Sequence, residues 1–284
     1  MTDWSCDWPA PAKINRFLHV VGRRPDGYHR LQTLFQFVEP VDRLDFAVLK
    51  TPIIEREGGL RGVAEADDLA LRAAHALRAA AGIRAGVRIR IAKRIPVGGG
   101  LGGGSSDAAT TLVALNQLWG CGLSTAALLD LALALGADVP VFVNGRAAWA
   151  EGIGEQLTSV VVDEPWLVMV DPGVAVDTGA VFRDGKLTRQ SAHITIRDLE
   201  TGAVRNDCEP VVRRLHPAVG RALDQLGEQG PAMLTGTGGC LFARFDSHEA
   251  ACQAAGQLTG RVTAWVCRAS NRSPLLDRLD AERD

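Results

Sequence analysis

Lysine is scarce in this chain: four residues, at positions 13, 50, 93 and 186, among 31 Lys and Arg in all. Surface cations are therefore overwhelmingly arginine, and a lysine inside an apolar stretch is hard to dismiss as filler. Tyrosine is scarcer still, Tyr28 being the only one. No apolar run approaches the roughly 18 residues that suggest a membrane span. The segment Met1 to Pro11 carries Asp3 and Asp7 and has neither the basic start nor the apolar stretch of a secretory signal. Six cysteines (Cys6, Cys121, Cys208, Cys240, Cys252 and Cys267) are scattered without C-x-x-C spacing, which argues against a zinc or disulfide framework and for reduced thiols. A basic surplus is also missing. The formal charge is −2 and the pI about 6.3, so there is no electrostatic footprint for nucleic acid or an anionic membrane. These absences lead us to expect a soluble cytoplasmic protein with neither nucleic-acid nor membrane partners; a monomer or weak homodimer is expected.

What is present is ordinary in bulk. The 284 residues, 46% of them apolar and 23% charged, suggest about two domains. Residues Ala12 to Val21 read as a strand, and Arg23-Arg24-Pro25-Asp26-Gly27 as a turn. A second strand is expected from Tyr28 to Phe37 and a third from Leu44 to Val48; the short connections argue for an antiparallel sheet. A helix is expected over 69–81, with Asp67 or Asp68 as its cap and Gly82 as its stop. Val87 to Ile91 alternates as a strand. Helices follow over 105–119 and 124–135, and Gly136-Ala137-Asp138-Val139-Pro140 breaks the pattern. Trp166 to Val170 is an apolar strand closed by Asp171-Pro172-Gly173. The rest reads as a helix over 209–227, strand–turn–strand over 233–245, a helix over 247–259 and a last strand from Val262 to Cys267.

The stretch that stands out is Pro96 to Ala109, P-V-G-G-G-L-G-G-G-S-S-D-A-A. Glycine lets backbone N–H groups approach a ligand with no Cβ in the way, and a helix beginning at the serines would aim its unpartnered N–H groups at an anion. A flexible linker would be the alternative, but the loop sits tightly between a strand and a helix pattern. Gly98-x-Gly100-x-x-Gly103 fits the dinucleotide fingerprint, yet the preceding strand alternates with arginines. No acid lies between Asp107 and Asp130, where the ribose contact would fall. A P-loop needs Gly-Lys-Ser/Thr, and no lysine follows these glycines. The V-A-I-K, H-R-D and D-F-G segments of protein kinases are absent.

With those readings excluded, the loop resembles the nucleotide loop of the GHMP kinases, the superfamily that phosphorylates galactose, homoserine, mevalonate and phosphomevalonate. The likeness extends over most of the chain: P-A-K-I-N at 11–15, R-P-D-G-Y-H at 24–29, L-Q-T-L-F-Q at 31–36, the loop, G-A-D-V-P at 136–140, G-T-G-G-C at 236–240 and S-N-R-S-P-L at 270–275. It is strongest for the branch whose substrate is a cytidine diphosphate alcohol.

The resemblance implies an α+β, two-domain GHMP kinase-like fold. Its N-terminal ATP domain, of the ribosomal-protein-S5-domain-2-like type, would cover 1–163, and its ferredoxin-like helix-on-sheet C-terminal domain 164–284. It implies ATP as co-substrate, Mg²⁺ with it, and phosphoryl transfer to an alcohol. ATP would lie on Pro96, Val97, Gly98, Gly99, Gly100, Leu101, Gly102, Gly103, Gly104, Ser105 and Ser106, with Asp68 on the adenosine side. The family usually has Asn at that last position, and a carboxylate cannot supply the amide's N–H donors. Lys13 would be the catalytic cation and Asp138 the base at the substrate hydroxyl. Without the resemblance, Lys13 could be a strand-edge lysine reaching water and Asp138 a turn residue. Tyr28 and Phe182 would stack on cytosine and His29 would bond its edge. Asn15, Phe35 and Thr178 would complete that pocket, with Gly238 in a turn closing on substrate. No carboxylate cluster marks the metal ligands. A sister kinase for another small alcohol and a non-catalytic ATP-binding module are the competing readings.

Overall fold

The computed structural model describes residues 3–58, 63–199, 204–258, 260 and 262–282. The chain opens with two long antiparallel strands, β1 (Ser5–Arg23) and β2 (His29–Leu49), joined by the expected turn. The second and third strands read from sequence are one strand. The ladder shifts register between Pro11 and Ala12, opposite Val41 and Val38, and this bulge takes up Glu39 and Pro40, so a proline without an N–H does not end the pairing. On its other edge β2 pairs with β5 (Ala148–Glu151) at Thr33–Phe35 and with β4 (Gly86–Ala92) at Arg43–Leu49. β3 (Ile54–Arg56), parallel to β4, and β6 (Gln156–Ser159) complete six strands.

Helix α1 (Leu69–Ala81) starts where the Asp68 carboxylate accepts from the N–H groups of Ala70 and Leu71, and it stops at Gly82 in the left-handed region. With α2 (Gly103–Leu118), α3 (Thr125–Leu135) and α4 (Val139–Asn144) it covers the first sheet around Leu77, Leu112, Phe46 and Phe142. The second sheet is β7 (Trp166–Asp171), β8 (Ala232–Leu234), β9 (Leu241–Phe245) and β10 (Thr263–Arg268), in the order β10-β7-β9-β8. Packed against it are α6 (Glu209–Leu215), α7 (Pro217–Gly227) and α8 (His248–Gln257), with the short α5 (Thr178–Arg183) after β7. The single helix expected over 209–227 is two, because Pro217 supplies no N–H to continue α6 and instead opens α7.

Ala12, Ile14 and Val38 of the first sheet pack with Leu167, Met169 and Phe242 of the second, so the two layers share an apolar seam beside the glycine loop. A last helix, α9 (Pro274–Ala281), follows β10 and returns Leu275 to the core of the first layer. No described helix is long and apolar enough to cross a membrane, and all six cysteines are unpaired thiols.

Candidate active site

The glycine loop runs from the end of β4 into α2, and positive φ angles recur at Gly98, Gly100 and Gly102 (75°, 77° and 74°). At Gly100 a Cβ would stand 2.6 Å from the Thr235 carbonyl oxygen, and at Gly102 it would stand 2.8 Å from Cζ of Phe142 and 3.2 Å from Cε of Lys13. Both conformation and space therefore require glycine. α2 begins two residues before the serines, with Gly102 as a cap that has no side chain to offer, so its first N–H groups stay open to an anion. A cavity of about 450 Å³ lies in front, lined by Pro96 through Ser105 together with Asp68, Leu69, Lys93 and Asp107. Ser106 is fully buried and not part of that lining.

Lys13 sits in the middle of β1 and is 2% exposed. Its Nζ donates to Asn15 Oδ1 at 2.8 Å and to the Gly100 carbonyl at 3.1 Å, and stands 3.3 Å from Asp138 Oδ2. The Phe35 ring centroid is 5.3 Å away. Asp138 precedes α4 and makes no cap bond, which leaves its carboxylate, 42% exposed, facing the lysine. Asn15 is held by Thr33 through its Nδ2 and by Thr235 through its backbone N–H.

A second cavity, about 650 Å³, is lined by Tyr28, His29, Thr178, Phe182, Ala137 and several arginines. Tyr28 is 61% exposed, and Phe182 stacks on His29 with centroids 5.1 Å apart and planes 23° from parallel. Burial first, then the charges of Arg189 and Arg23, hold the His29 pKa below its ordinary value. Asn15, Phe35 and Gly238 do not line this cavity. The first two surround Lys13, and Gly238 puts its carbonyl against Gly100. The glycine turn after β8 is thus packed against the glycine loop, and Cys240 donates its N–H to the Gly99 carbonyl at 2.9 Å.

Asp68 is tied up locally. One carboxylate oxygen caps α1 and the other stands 2.8 Å from Arg56 Nε as an ion pair without an aligned N–H. Sequence reasoning overlooked a buried group beneath the loop. Lys93 Nζ bridges Asp42 and Asp107, the latter at 2.7 Å, while Asp107 Oδ1 has no partner. Burial opposes the charge on Lys93, but Asp107 and Asp42 outweigh it and raise its pKa. For Asp107, burial reinforced by Asp42 prevails over Lys93 and pushes the carboxyl up to about 7. The scarcity that singled out Lys13 applies equally to Lys93.

Residues 68–146 match the GHMP kinases N-terminal domain and residues 186–262 the GHMP kinases C-terminal domain. A solved homoserine kinase from Cytophaga hutchinsonii, 16% identical, superposes with a TM-score of 0.67 over 96% of both chains, a likeness of fold. The chain is thus built as a GHMP kinase, an ATP-dependent phosphotransferase. Within that class the 4-diphosphocytidyl-2-C-methyl-D-erythritol kinase of Halorhodospira halophila is 55% identical over 97% of this chain and 96% of that relative. The one from Alkalilimnicola ehrlichii is 52% identical over 99% and 97%. A crystal structure of 4-(cytidine 5'-diphospho)-2C-methyl-D-erythritol kinase, 34% identical, covers 94% of this chain and 99% of its own with a TM-score of 0.80. The chain belongs to the 4-diphosphocytidyl-2-C-methyl-D-erythritol kinase family.

Proposed function

We propose that the chain transfers the γ-phosphoryl group of ATP to the 2-hydroxyl of 4-diphosphocytidyl-2-C-methyl-D-erythritol. The products are the 2-phosphate and ADP, in the methylerythritol phosphate route to isopentenyl diphosphate. The observation that carries this reading is the Lys13–Asp138 ion pair, whose immediate neighbours line both cavities. Gly100 and Gly102, which touch Lys13, line the first, and Ala137, next to Asp138, lines the second.

Phosphoryl transfer is chiefly positioning and charge stabilisation. The loop and the α2 N-terminus hold the phosphates, Lys13 offsets charge on the transferring group, and Asp138 takes the proton of the attacking hydroxyl. Tyr28 and Phe182 stack on cytosine with His29 at its edge. Asn15 and Phe35 hold Lys13 in place, Thr178 closes the base pocket, and Gly238 braces the loop. Among the described residues no three His, Cys, Asp or Glu side chains form a metal cage. That suits Mg²⁺, which binds through nucleotide phosphates and one or two protein oxygens. Ser105, which lines the first cavity, would offer one such oxygen, and the ion, when bound, would offset phosphate charge. We take 1–163 and 164–284 as the two domains of a cytoplasmic enzyme, monomer or weak homodimer, consistent with its unpaired thiols.

The test is ADP release with the cytidyl substrate beside homoserine and mevalonate. Turnover with the cytidyl alcohol alone is expected; turnover only with one of the other two overturns the proposal.

A further inference from the structure

Arg189 lies in the loop after α5, outside every motif that stood out in the sequence, and its guanidinium joins the two walls of the second cavity. Its Nε donates to His29 Nε2 at 3.0 Å. Its terminal nitrogens donate to the carbonyl oxygens of Leu187 (3.2 Å), Phe182 (3.0 Å) and Asp184 (2.7 Å). A guanidinium has no lone pair to give, so Nε2 of His29 is the acceptor, and a neutral imidazole accepting at Nε2 carries its proton on Nδ1. Nδ1 makes no hydrogen bond among the described residues, and the ring lines the cavity against Phe182.

We propose that Arg189 is a positioning residue for base selection: by holding His29 as the Nδ1–H tautomer it turns the cavity wall into a donor towards the edge of the base. The selection rests on N3, which accepts in cytosine and carries a hydrogen in uracil, whereas O2 accepts in both and does not discriminate. The inference rests on the cytidyl substrate read above and names what selects it.

The groups around His29 set a pH signature. Arg189 faces it from the loop, Arg23 from the end of β1 and Phe182 from α5, and Asp26 and Arg183 line the same cavity. Burial and the two facing cations favour the neutral ring, which is the form that can accept from Arg189. Without Arg189 the His29 pKa rises and the neutral ring is free to take either tautomer. Below that pKa the protonated ring carries Nδ1–H again, so acid restores the donor.

The test compares the wild-type chain with Arg189→Met and Arg189→Lys. CDP and UDP binding are measured by calorimetry from about pH 5.5 to about 8, with KM for ATP and the imidazole ¹⁵N spectrum alongside. Wild type should prefer CDP at every pH and show the Nδ1–H tautomer. Arg189→Met should lose about tenfold in its CDP/UDP preference at high pH and regain it as the pH falls, with KM for ATP unmoved. Arg189→Lys, keeping a cationic donor, should recover part. An Nε2–H spectrum in wild type, or a wild-type CDP/UDP ratio in Arg189→Met at every pH, overturns the inference. A wild-type chain that binds neither CDP nor UDP overturns the cytidyl reading itself.

Discussion

Lys13 is placed where a cation is costly to bury, and every contact it makes compensates for that burial. An amide oxygen, a backbone carbonyl and a carboxylate all surround its Nζ within 3.3 Å. Asp138, by contrast, is open to solvent on one side and free of capping duty, which suits the proposed role at a hydroxyl. Asp138→Asn keeps the volume and removes the proposed base, so kcat should fall on the order of 10²-fold or more while ATP affinity, read by calorimetry, holds; a near-normal kcat would refute the role. Asp107 leads to a prediction about stability. Its folded pKa of about 7 lies above the ordinary carboxyl value, so in the folded protein it keeps a proton that the unfolded chain has already released. The stabilising contribution is complete below about pH 4 and declines as pH rises towards 7. Asp107→Asn should remove that decline, which a comparison of Tm against pH for the two proteins would read directly.

At the scale of elements, the loop and helix ends were legible because single residues determine them. Asp68 and Gly82 bound α1 through a side-chain cap and a left-handed stop, and the glycine run marked a close approach whose ligand side could be guessed. Its other side could not. Nothing local says that Gly236 to Gly239 packs on Gly98 to Gly100, because that contact joins positions far apart in the chain. The same limit hid α9, whose partner is β1, and Arg189, one arginine among many. The division of 29–49 into two strands failed because Pro40 reads as a breaker unless the bulge opposite it is known. Gly100→Ala tests the loop as an element: its Cβ would strike two carbonyl oxygens from a backbone at φ 77°. We expect a loss of about 1–3 kcal/mol in stability, read by urea unfolding, and a raised KM for ATP.

Across the whole molecule, the seam between the sheets joins the proposed site to the stability of the fold. Ile14 packs into that seam between the two proposed site residues Lys13 and Asn15, and its partners there include the fully buried Met169 of β7. The two layers are also joined by Leu275, which crosses from the end of the chain into the first core. Two cores connected in this way should unfold together, unlike loosely docked domains. Met169→Ala opens space beneath Ile14 at a cost of about 2–5 kcal/mol. Hydrogen exchange at rising urea should then show β4 and β9 losing protection at one lowered midpoint, although β4 lies in the other sheet. Loss confined to β9 would mean that the layers are energetically separate. The same cavity should lower kcat more than it raises either KM, because the seam supports the strand that carries Lys13, whereas the proposed substrate contacts lie on the glycine loop and on the Tyr28 and Phe182 platform.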